Sequence, residues 1–207
     1  SYTINNTIGS NLFSNSQFTT NINSVTVWGD NTTGAWDNTG KVSGGSLRMD
    51  FSAPVAKKYS MLHAPVGAVS SGKKYVLRFT TVGTKANGIV AVYLRKSASP
   101  YNNLVPTQTK SFGTSKTIHE FLIDAPITES AASFVISIEQ TSGTTYIDNI
   151  EFVEVNATIN SFQSQVKFLF NDTKVSKTIA LDAKYIGVDS TVYNGSITLA
   201  PYASKII

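Results

Sequence analysis

Five aromatic residues outside any core pattern are the side chains of this sequence best suited to bind a ligand. They are Trp28, Trp36, Tyr59, Tyr93 and Tyr101. Flat rings of this kind cover the apolar faces of pyranose sugars, and planar hydrogen-bonding groups beside them bind sugar hydroxyls. We therefore predict a ligand-binding surface that could accept a sugar. For Trp28 and Trp36, which flank a polar loop, the alternative that either ring plugs the end of the fold stays open.

Polar residues would complete such a surface. The candidates are His63, Arg78, Arg95, Asn102 and Gln140. An arginine binds a carboxylate or a sulfate through its forked guanidinium, which favours an acidic polysaccharide as the ligand. We expect these residues to line one cleft with Tyr93 and Tyr101. The alternatives are a solvated pair of arginines on an open face and a packed, satisfied histidine at position 63.

Signatures of catalysis are absent or incomplete. The sequence has no Gly-x-Ser-x-Gly nucleophile motif, and His63 and His119 lack the spacing of metal ligands. A glycosidase needs two carboxylates about 5 to 9 Å apart. The acids on predicted strands are Asp50, Glu139 and Glu151, but the sequence alone does not fix which of them face each other. We predict that the chain is not an enzyme, with a small polysaccharide-degrading enzyme as an alternative.

The composition narrows the classes of partner. Only 14% of the 207 residues are charged, against roughly 25% in ordinary soluble domains, which indicates a sheet protein with a neutral polar surface. The net charge of +4 arises without a basic run, so we do not expect a nucleic-acid partner. The absence of cysteine excludes disulfides and thiolate metal sites. No apolar run is long enough to cross a membrane, so we expect no membrane partner.

The elements that must position these residues are strands. Apolar and polar residues alternate in seven segments bounded by Gly, Asn, Ser or Pro, as in half-buried strands. The predicted strands are 46–51, 59–64, 74–81, 89–96, 117–123, 133–140 and 145–155. This number and spacing of strands indicates a two-sheet antiparallel sandwich.

Alternation also assigns the two faces of each strand, because successive side chains point to opposite sides. The residues expected in the core are Tyr75, Leu77, Phe79, Val90, Val92, Leu94, Phe134, Ile136 and Ile138. Tyr93 and Arg95 then share an outer face. Arg78 also points outward, and it joins them if the strands belong to one sheet.

The composition shifts near Asn156, where a polar, linker-like stretch begins. We predict one domain over residues 1–156 and a small β segment over residues 157–207, with short strands at 166–170, 177–181 and 195–199. A segment of about 50 residues buries too little surface to stand alone. We expect it to pack on the preceding domain or on a catalytic domain.

Several motifs follow one another in an order known from one group of binding modules. They are Asn11-Leu12-Phe13-Ser14-Asn15-Ser16-Gln17-Phe18 as an opening strand, Trp28, Gly45-Ser46-Leu47, Gly72-Lys73-Lys74-Tyr75-Val76-Leu77, and Thr145-Tyr146-Ile147-Asp148-Asn149-Ile150-Glu151-Phe152 as the closing strand. Over roughly residues 9–155 the chain resembles carbohydrate-binding modules of families four, nine, sixteen and twenty-two. Residues 167–173 and 197–204 resemble the C-terminal β segment of secreted Bacteroidetes polysaccharide-degrading enzymes.

The resemblance implies an all-β jelly roll with a small C-terminal β appendage. It implies non-catalytic binding of a polysaccharide, and the arginines favour an acidic or sulfated algal one. The chain would then target an attached glycoside hydrolase or polysaccharide lyase, its catalytic partner domain, to the substrate. We expect a secreted, bacterial, monomeric protein. A ligand-free structural or adhesion sandwich is the alternative.

The same resemblance implies a structural calcium ion. In such jelly rolls calcium ties the first strand to the last through oxygen ligands, and the matching residues here are Asp148 and Asn15. The sequence departs from the group at Thr19, where many relatives carry an acidic residue. The alternative is that Asp148 hydrogen-bonds to the backbone at a strand end.

Overall fold

The computed structural model of this chain describes residues 1–29, 32–51, 58–140, 142–160 and 166–207, with the backbone alone at residues 58–60 and 140. The chain divides into two compact units, one of residues Ile4–Ala157 and one of residues Ser1–Thr3 with Thr158–Ile207. The separation into domains 1–156 and 157–207 stays a prediction. Within the described ranges there is no helix long and apolar enough to cross a membrane.

The larger unit is built from eleven strands, β1 and β11 each extending into the residues of the smaller one. The strands are β1 Tyr2–Ile8, β2 Thr26–Gly29, β3 Thr32–Asp37, β4 Ser46–Phe51, β5 Lys58–Val69, β6 Lys74–Gly83, β7 Gly88–Lys96, β8 Gln108–Phe112, β9 Thr117–Asp124, β10 Glu129–Gln140 and β11 Gly143–Ile159. One sheet has six strands in the order β3-β4-β11-β6-β9, with β1 also paired to β11, and the other has five in the order β2-β5-β10-β7-β8. The all-β sandwich expected from the sequence is confirmed.

The core lies between the two sheets and contains the residues that alternation assigned to it. All nine residues of the expected core, from Tyr75 to Ile138, belong to one buried apolar cluster. They alternate with outward side chains because a strand presents every second residue to the same face. The assignment of faces on β6, β7 and β10 is therefore confirmed.

Tight turns join the long strands where the sequence has small or flexible residues. Gly72, between β5 and β6, has a φ of 76°, and Gly143, at the start of β11, has a φ of 96°. Both values lie in the left-handed region, which a residue without a Cβ adopts without steric cost. The first turn joins β5 to β6 and the second lies between β10 and β11, so each connects strands of different sheets.

The segment from Asn11 to Phe18 is a set of turns and not the opening strand that the resemblance implied. The Asn11 side chain makes hydrogen bonds to β11 of the kind that a neighbouring strand would make. Its amide nitrogen donates to the carbonyl oxygen of Ile150 at 2.9 Å, and its amide oxygen accepts from the backbone nitrogen of Phe152 at 2.8 Å. A side-chain amide carries the same donor and acceptor as a peptide group. The backbone groups of Ile150 and Phe152 are therefore hydrogen-bonded by a side chain instead of by a neighbouring strand.

The smaller unit contains three two-stranded ladders. They are formed by β12 Phe168–Phe170 with β17 Ser204–Ile206, β13 Lys177–Ala180 with β16 Ser196–Leu199, and β14 Tyr185–Ile186 with β15 Val192–Tyr193. The buried Asn171 donates to the carbonyl oxygens of Val175, Leu199 and Ala200. Short strands near 168, 178 and 197 were expected from the sequence and are present.

Candidate functional site

The outer face of the five-stranded sheet brings most of the candidate residues together. Thr26 on β2 lies opposite His63 on β5. The next positions across the sheet are Val135 on β10 and Tyr93 on β7, which is paired with it. Arg95 lies two residues along β7 from Tyr93 and therefore on the same face. Four strands thus contribute neighbouring side chains to one surface.

A cleft of about 390 Å³ opens on this face. Its lining consists of Thr26, Trp28, His63, Arg95, Ser97 and Tyr101. Four of these six residues were candidates from the sequence. Thr26 and Ser97 were not, because a single hydroxyl residue on a short strand or in a loop carries no pattern that marks it.

The guanidinium of Arg95 lies against two aromatic rings in the cleft. Its central carbon is 4.9 Å from the centre of the Tyr101 ring and 5.7 Å from that of Trp28. Both rings keep a large exposed surface, 50% for Tyr101 and 40% for Trp28. Cation–π contacts of this kind hold an arginine in place without neutralising its charge. The Nε atom of Arg95 is buried and has no hydrogen-bond partner within the described part of the chain.

His63 presents a second nitrogen of the same kind. Its Nε2 atom is buried and unpartnered among the residues that the structure describes. Burial lowers the pKa of His63, and the nearby positive charge of Arg95 lowers it further, because both disfavour the charged imidazolium. The alternative of a packed histidine with all its hydrogen bonds made does not hold for this nitrogen.

Tyr93 and Asn102 flank the cleft. Tyr93 is half-buried and packs against the core, and its hydroxyl donates to the sulfur of Met61 at 3.3 Å. Asn102 is exposed, and its carbonyl oxygen accepts from the backbone nitrogen of Lys96 at 3.1 Å. This bond holds the loop that carries Tyr101 against the end of β7.

Arg78 lies on β6 in the six-stranded sheet, so the expectation that it shares a cleft with Arg95 is wrong. Its Nε donates to a carboxylate oxygen of Glu120 at 2.6 Å, and its Nη1 donates to one of Glu151 at 2.8 Å. Alternation gives the side of a strand to which a residue points, but it does not say to which sheet the strand belongs. Arg78 is therefore outward-facing, as expected, on the other side of the sandwich.

Trp36 also belongs to the six-stranded sheet, through β3. Its indole nitrogen donates to the carbonyl oxygen of Phe18 at 2.7 Å, and its side chain remains 39% exposed. A Cβ at position 45 would collide with the same carbonyl oxygen, so Gly45 permits this close approach. Trp36 is thus tied to the turn that ends at Phe18 and does not line the cleft.

Two of the candidates, Tyr59 and Gln140, have side chains outside the part that the structure describes. Their strands nevertheless belong to the five-stranded sheet, in which residue 59 pairs with Glu139 and residue 140 with residue 58. Their role in binding stays a prediction.

The carboxylates that a glycosidase would need are not gathered in the cleft. Asp50 is paired with Arg48 at 2.9 Å and accepts from Thr144, on the six-stranded sheet. Glu151 is paired with Arg78 on the same sheet. The six residues that line the cleft include no acid.

The expected calcium ligands are placed as follows. Asp148 is buried, and one carboxylate oxygen accepts from the Ser43 hydroxyl at 2.5 Å while the other has no partner within the described ranges. Burial raises the pKa of this carboxyl group. An unpartnered buried oxygen fits a cation ligand, and the Asn149 amide oxygen lies within 3.1 Å of the same hydroxyl. The amide nitrogen of Asn15 donates to the carbonyl oxygen of Asn21 at 2.9 Å.

Calcium usually takes about six to eight oxygen ligands. In the described part of the chain there is no group of three or more His, Cys, Asp or Glu residues that would hold a metal ion. Most ligands would therefore have to be carbonyl, amide or water oxygens. The calcium site stays a prediction.

Neither a protein-family model nor a curated protein matches this sequence. Solved structures do match its fold. The enzymatically active domain of bacteriophage CBA120 tailspike protein 4 is 12% identical, with a TM-score of 0.56, and the match covers 70% of this chain and 21% of the tailspike chain. This chain thus spans about one fifth of that protein.

Two smaller structures match along almost their whole length. The CBM22-1 xylan-binding domain of Paenibacillus barcinonensis is 9% identical, with a TM-score of 0.54, over 74% of this chain and 99% of that domain. A family 16 carbohydrate-binding module is 16% identical, with a TM-score of 0.52, over 69% of this chain and 99% of the module. At this level of identity the likeness concerns the fold. The chain has the β-sandwich fold of carbohydrate-binding modules.

Proposed function

We propose that this chain binds a polysaccharide without cleaving it, through the cleft on the outer face of the five-stranded sheet. Trp28 and Tyr101 would stack on pyranose rings, and His63 and Arg95 would bind their polar substituents. Tyr93 and Asn102 would hold the wall of the cleft, and Tyr59 and Gln140 would extend the surface along β5 and β10. The likeness to a xylan-binding domain and to a family 16 module supports this proposal.

The observation that carries the proposal is the combination of exposed aromatic rings with an arginine that has no acidic partner in the cleft. Stacking on a sugar needs an accessible ring, and selectivity needs fixed polar groups beside it. A ligand-free structural sandwich has no need to keep either of them in a cleft. The absence of an acid among the lining residues favours binding over hydrolysis.

The wider setting is part of the proposal. The ligand would be an acidic or sulfated polysaccharide, such as those of algae, because a cationic and uncompensated Arg95 lies in the cleft. The chain would belong to a secreted bacterial protein, would be monomeric, and would hold an attached hydrolase or lyase on its substrate, where tethering raises the effective concentration. A structural calcium held by Asp148, with Asn15, would neutralise the buried carboxylate.

Affinity electrophoresis across xylan, glucan, mannan, galactan, alginate, polygalacturonate and carrageenan tests the proposal. We expect retardation of the protein in at least one gel, and Trp28→Ala or Tyr101→Ala should abolish it. Ile118→Ala is the matched control, because Ile118 is 77% exposed on β9 of the other sheet. Failure to bind any of the polysaccharides, or binding that survives both aromatic substitutions, would overturn the proposal.

A further inference from the structure

Two buried nitrogen atoms without partners belong to residues that line the same cleft. They are Nε of Arg95 and Nε2 of His63, both unpartnered within the described part of the chain. A buried polar atom that makes no hydrogen bond costs free energy, so such atoms are rare and call for an explanation. Two of them in one cleft indicate that a ligand supplies the missing acceptor.

The two nitrogens belong to strands on either side of β10. β5 carries His63 and β7 carries Arg95. Neighbouring strands lie about 4.8 Å apart, so the two backbones are separated by roughly 10 Å. Side chains that reach inward from both strands can contact one small group between them. Between them, β10 pairs Val135 with His63 and Ser133 with Arg95.

We propose that Arg95 and His63 form a subsite for the carboxylate of a uronic acid residue. This inference rests on the proposed function, because it assigns the chemical class of the sugar bound in that cleft. One carboxylate oxygen would accept from the Arg95 guanidinium and the other from Nε2 of His63, which carries a proton in one tautomer of the neutral ring. Both unpartnered nitrogens would then be satisfied by one planar group.

The number of buried unpartnered donors favours a carboxylate over a sulfate ester. The cleft offers two unpartnered buried nitrogens among the described residues, which matches the two oxygens of a carboxylate. A sulfate ester has three terminal oxygens. The hydroxyl of Ser97, a third possible donor, is already hydrogen-bonded to that of Ser133 at 2.5 Å.

The arrangement links binding to protonation of His63. Among the described side chains on the elements around it, Thr26, Trp28, Ser133 and Val135 do not titrate, Tyr93 and Tyr101 carry phenol groups, and Arg95 is the charged group that acts on His63. A bound carboxylate would offset the charge of Arg95, which now lowers the pKa of His63. Binding should therefore raise that pKa and take up protons, so affinity should increase as the pH falls.

Calorimetry with alginate and polygalacturonate oligomers, each compared with its uncharged ester, tests the inference. We expect at least one acid to bind roughly tenfold or more tightly than its ester. Arg95→Lys keeps the charge but lacks the Nε donor, and it should lower that affinity about tenfold. His63→Gln should remove the increase in affinity between about pH 7 and pH 5.

Thr26 offers a matched pair of variants, since it lines the cleft opposite His63 and is exposed. Thr26→Glu places a carboxylate of the protein where the ligand would bind, and it should weaken binding of the acid by roughly tenfold or more. Thr26→Gln has nearly the same size without the charge and should change affinity less than about threefold.

The outcomes separate this inference from the proposed function. Equal binding of acids and esters, or tighter Arg95-dependent binding of sulfated carrageenan oligosaccharides, would overturn the uronate subsite. If a neutral polysaccharide is bound, is lost on Trp28→Ala and is insensitive to Arg95→Lys, the binding function stands and the subsite does not. Equal effects of Thr26→Glu and Thr26→Gln would also contradict it.

Discussion

The two sheets of the sandwich each carry an arginine on the outer face, and the two arginines have opposite surroundings. Arg78 on the six-stranded sheet bonds to Glu120 and Glu151. Arg95 on the five-stranded sheet lies against Trp28 and Tyr101, with its Nε unpartnered in the described structure. The first charge is neutralised within the protein. The second remains available to a ligand.

The two histidines repeat this difference. His119, on β9 of the six-stranded sheet, is buried, and its Nε2 is 2.8 Å from the hydroxyl of Thr81. His63, on β5 of the other sheet, has an Nε2 without a partner among the described residues. Residue type alone therefore does not distinguish a structural group from a binding group. What distinguishes them is whether the protein itself supplies the hydrogen-bond partners of the group.

The largest expected effect concerns His119 and the stability of the fold at low pH. Burial lowers the pKa of His119 to about 4, and Lys110 contributes to the decrease. An unfolded histidine titrates near 6.5, so between these values the unfolded state binds more protons than the folded state. The free energy of unfolding should therefore be fully retained above about pH 6.5 and should fall by about 3 kcal/mol as the pH decreases to 4.

Urea unfolding of the wild type and of His119→Gln at several pH values checks this. Glutamine can keep a hydrogen bond to Thr81 but does not titrate, and the other titrating groups are common to both proteins. The wild type should therefore lose more stability on acidification than the variant. His63→Gln serves as the control and should keep the larger share of the dependence, because His119 is the more deeply buried of the two histidines. Parallel pH profiles for the wild type and His119→Gln would contradict the assignment.

A second, smaller effect separates the two arginines by stability. Arg78→Met leaves Glu120 and Glu151 facing each other without a cation, and it should lower the free energy of unfolding by about 1 kcal/mol, because these ion pairs are partly exposed. Arg95→Met loses cation–π contacts but also removes a buried, unpartnered Nε. Its stability should stay within about 0.5 kcal/mol of the wild type.

The two variants should show the reverse order in their affinity for polysaccharide. Arg78→Met should bind polysaccharide as the wild type does, and Arg95→Met should not. Equilibrium unfolding and affinity gels on the same two preparations give both readouts. The distinction between the sheets would be lost if Arg95→Met destabilised the protein more than Arg78→Met.

The strands that the sequence predicted correctly are those buried on at least one face. β4 Ser46–Phe51 and β7 Gly88–Lys96 alternate cleanly because the core selects every second residue. β2 Thr26–Gly29 and β8 Gln108–Phe112 were missed, because they are short edge strands with few buried residues. Without a buried face there is no selection for alternation. The same reason explains why β14 and β15, of two residues each, could not be predicted.

The site was predictable as a set of outward residues but not as a cleft. The alternation of apolar and polar residues placed Tyr93 and Arg95 on one face of β7. The register of β7 with β10 agrees with that placement. The position of His63 beside them depends on the register of β5 with β10, which has no signature in a single sequence. The error over Arg78 has the same origin, since sheet membership is set by long-range pairing.

The smallest expected effect tests the two tryptophans. From the sequence we expected Trp36 to be one of the sugar-binding aromatics, but its indole nitrogen bonds to Phe18 and its strand lies in the six-stranded sheet. Trp36→Phe should lower the free energy of unfolding by about 0.5 kcal/mol, the lower range for one hydrogen bond, because the indole is partly exposed. Its affinity for polysaccharide should not change.

Trp28→Phe is the matched substitution on the other sheet. It reduces the ring that lies 5.7 Å from the Arg95 guanidinium, so it should weaken binding and leave stability nearly unchanged. Affinity gels measure the binding of the two variants, and urea unfolding measures their stability. If Trp36→Phe weakened binding as much as Trp28→Phe, the ligand would extend beyond the cleft onto the edge formed by β3, and the division of labour between the sheets would not hold.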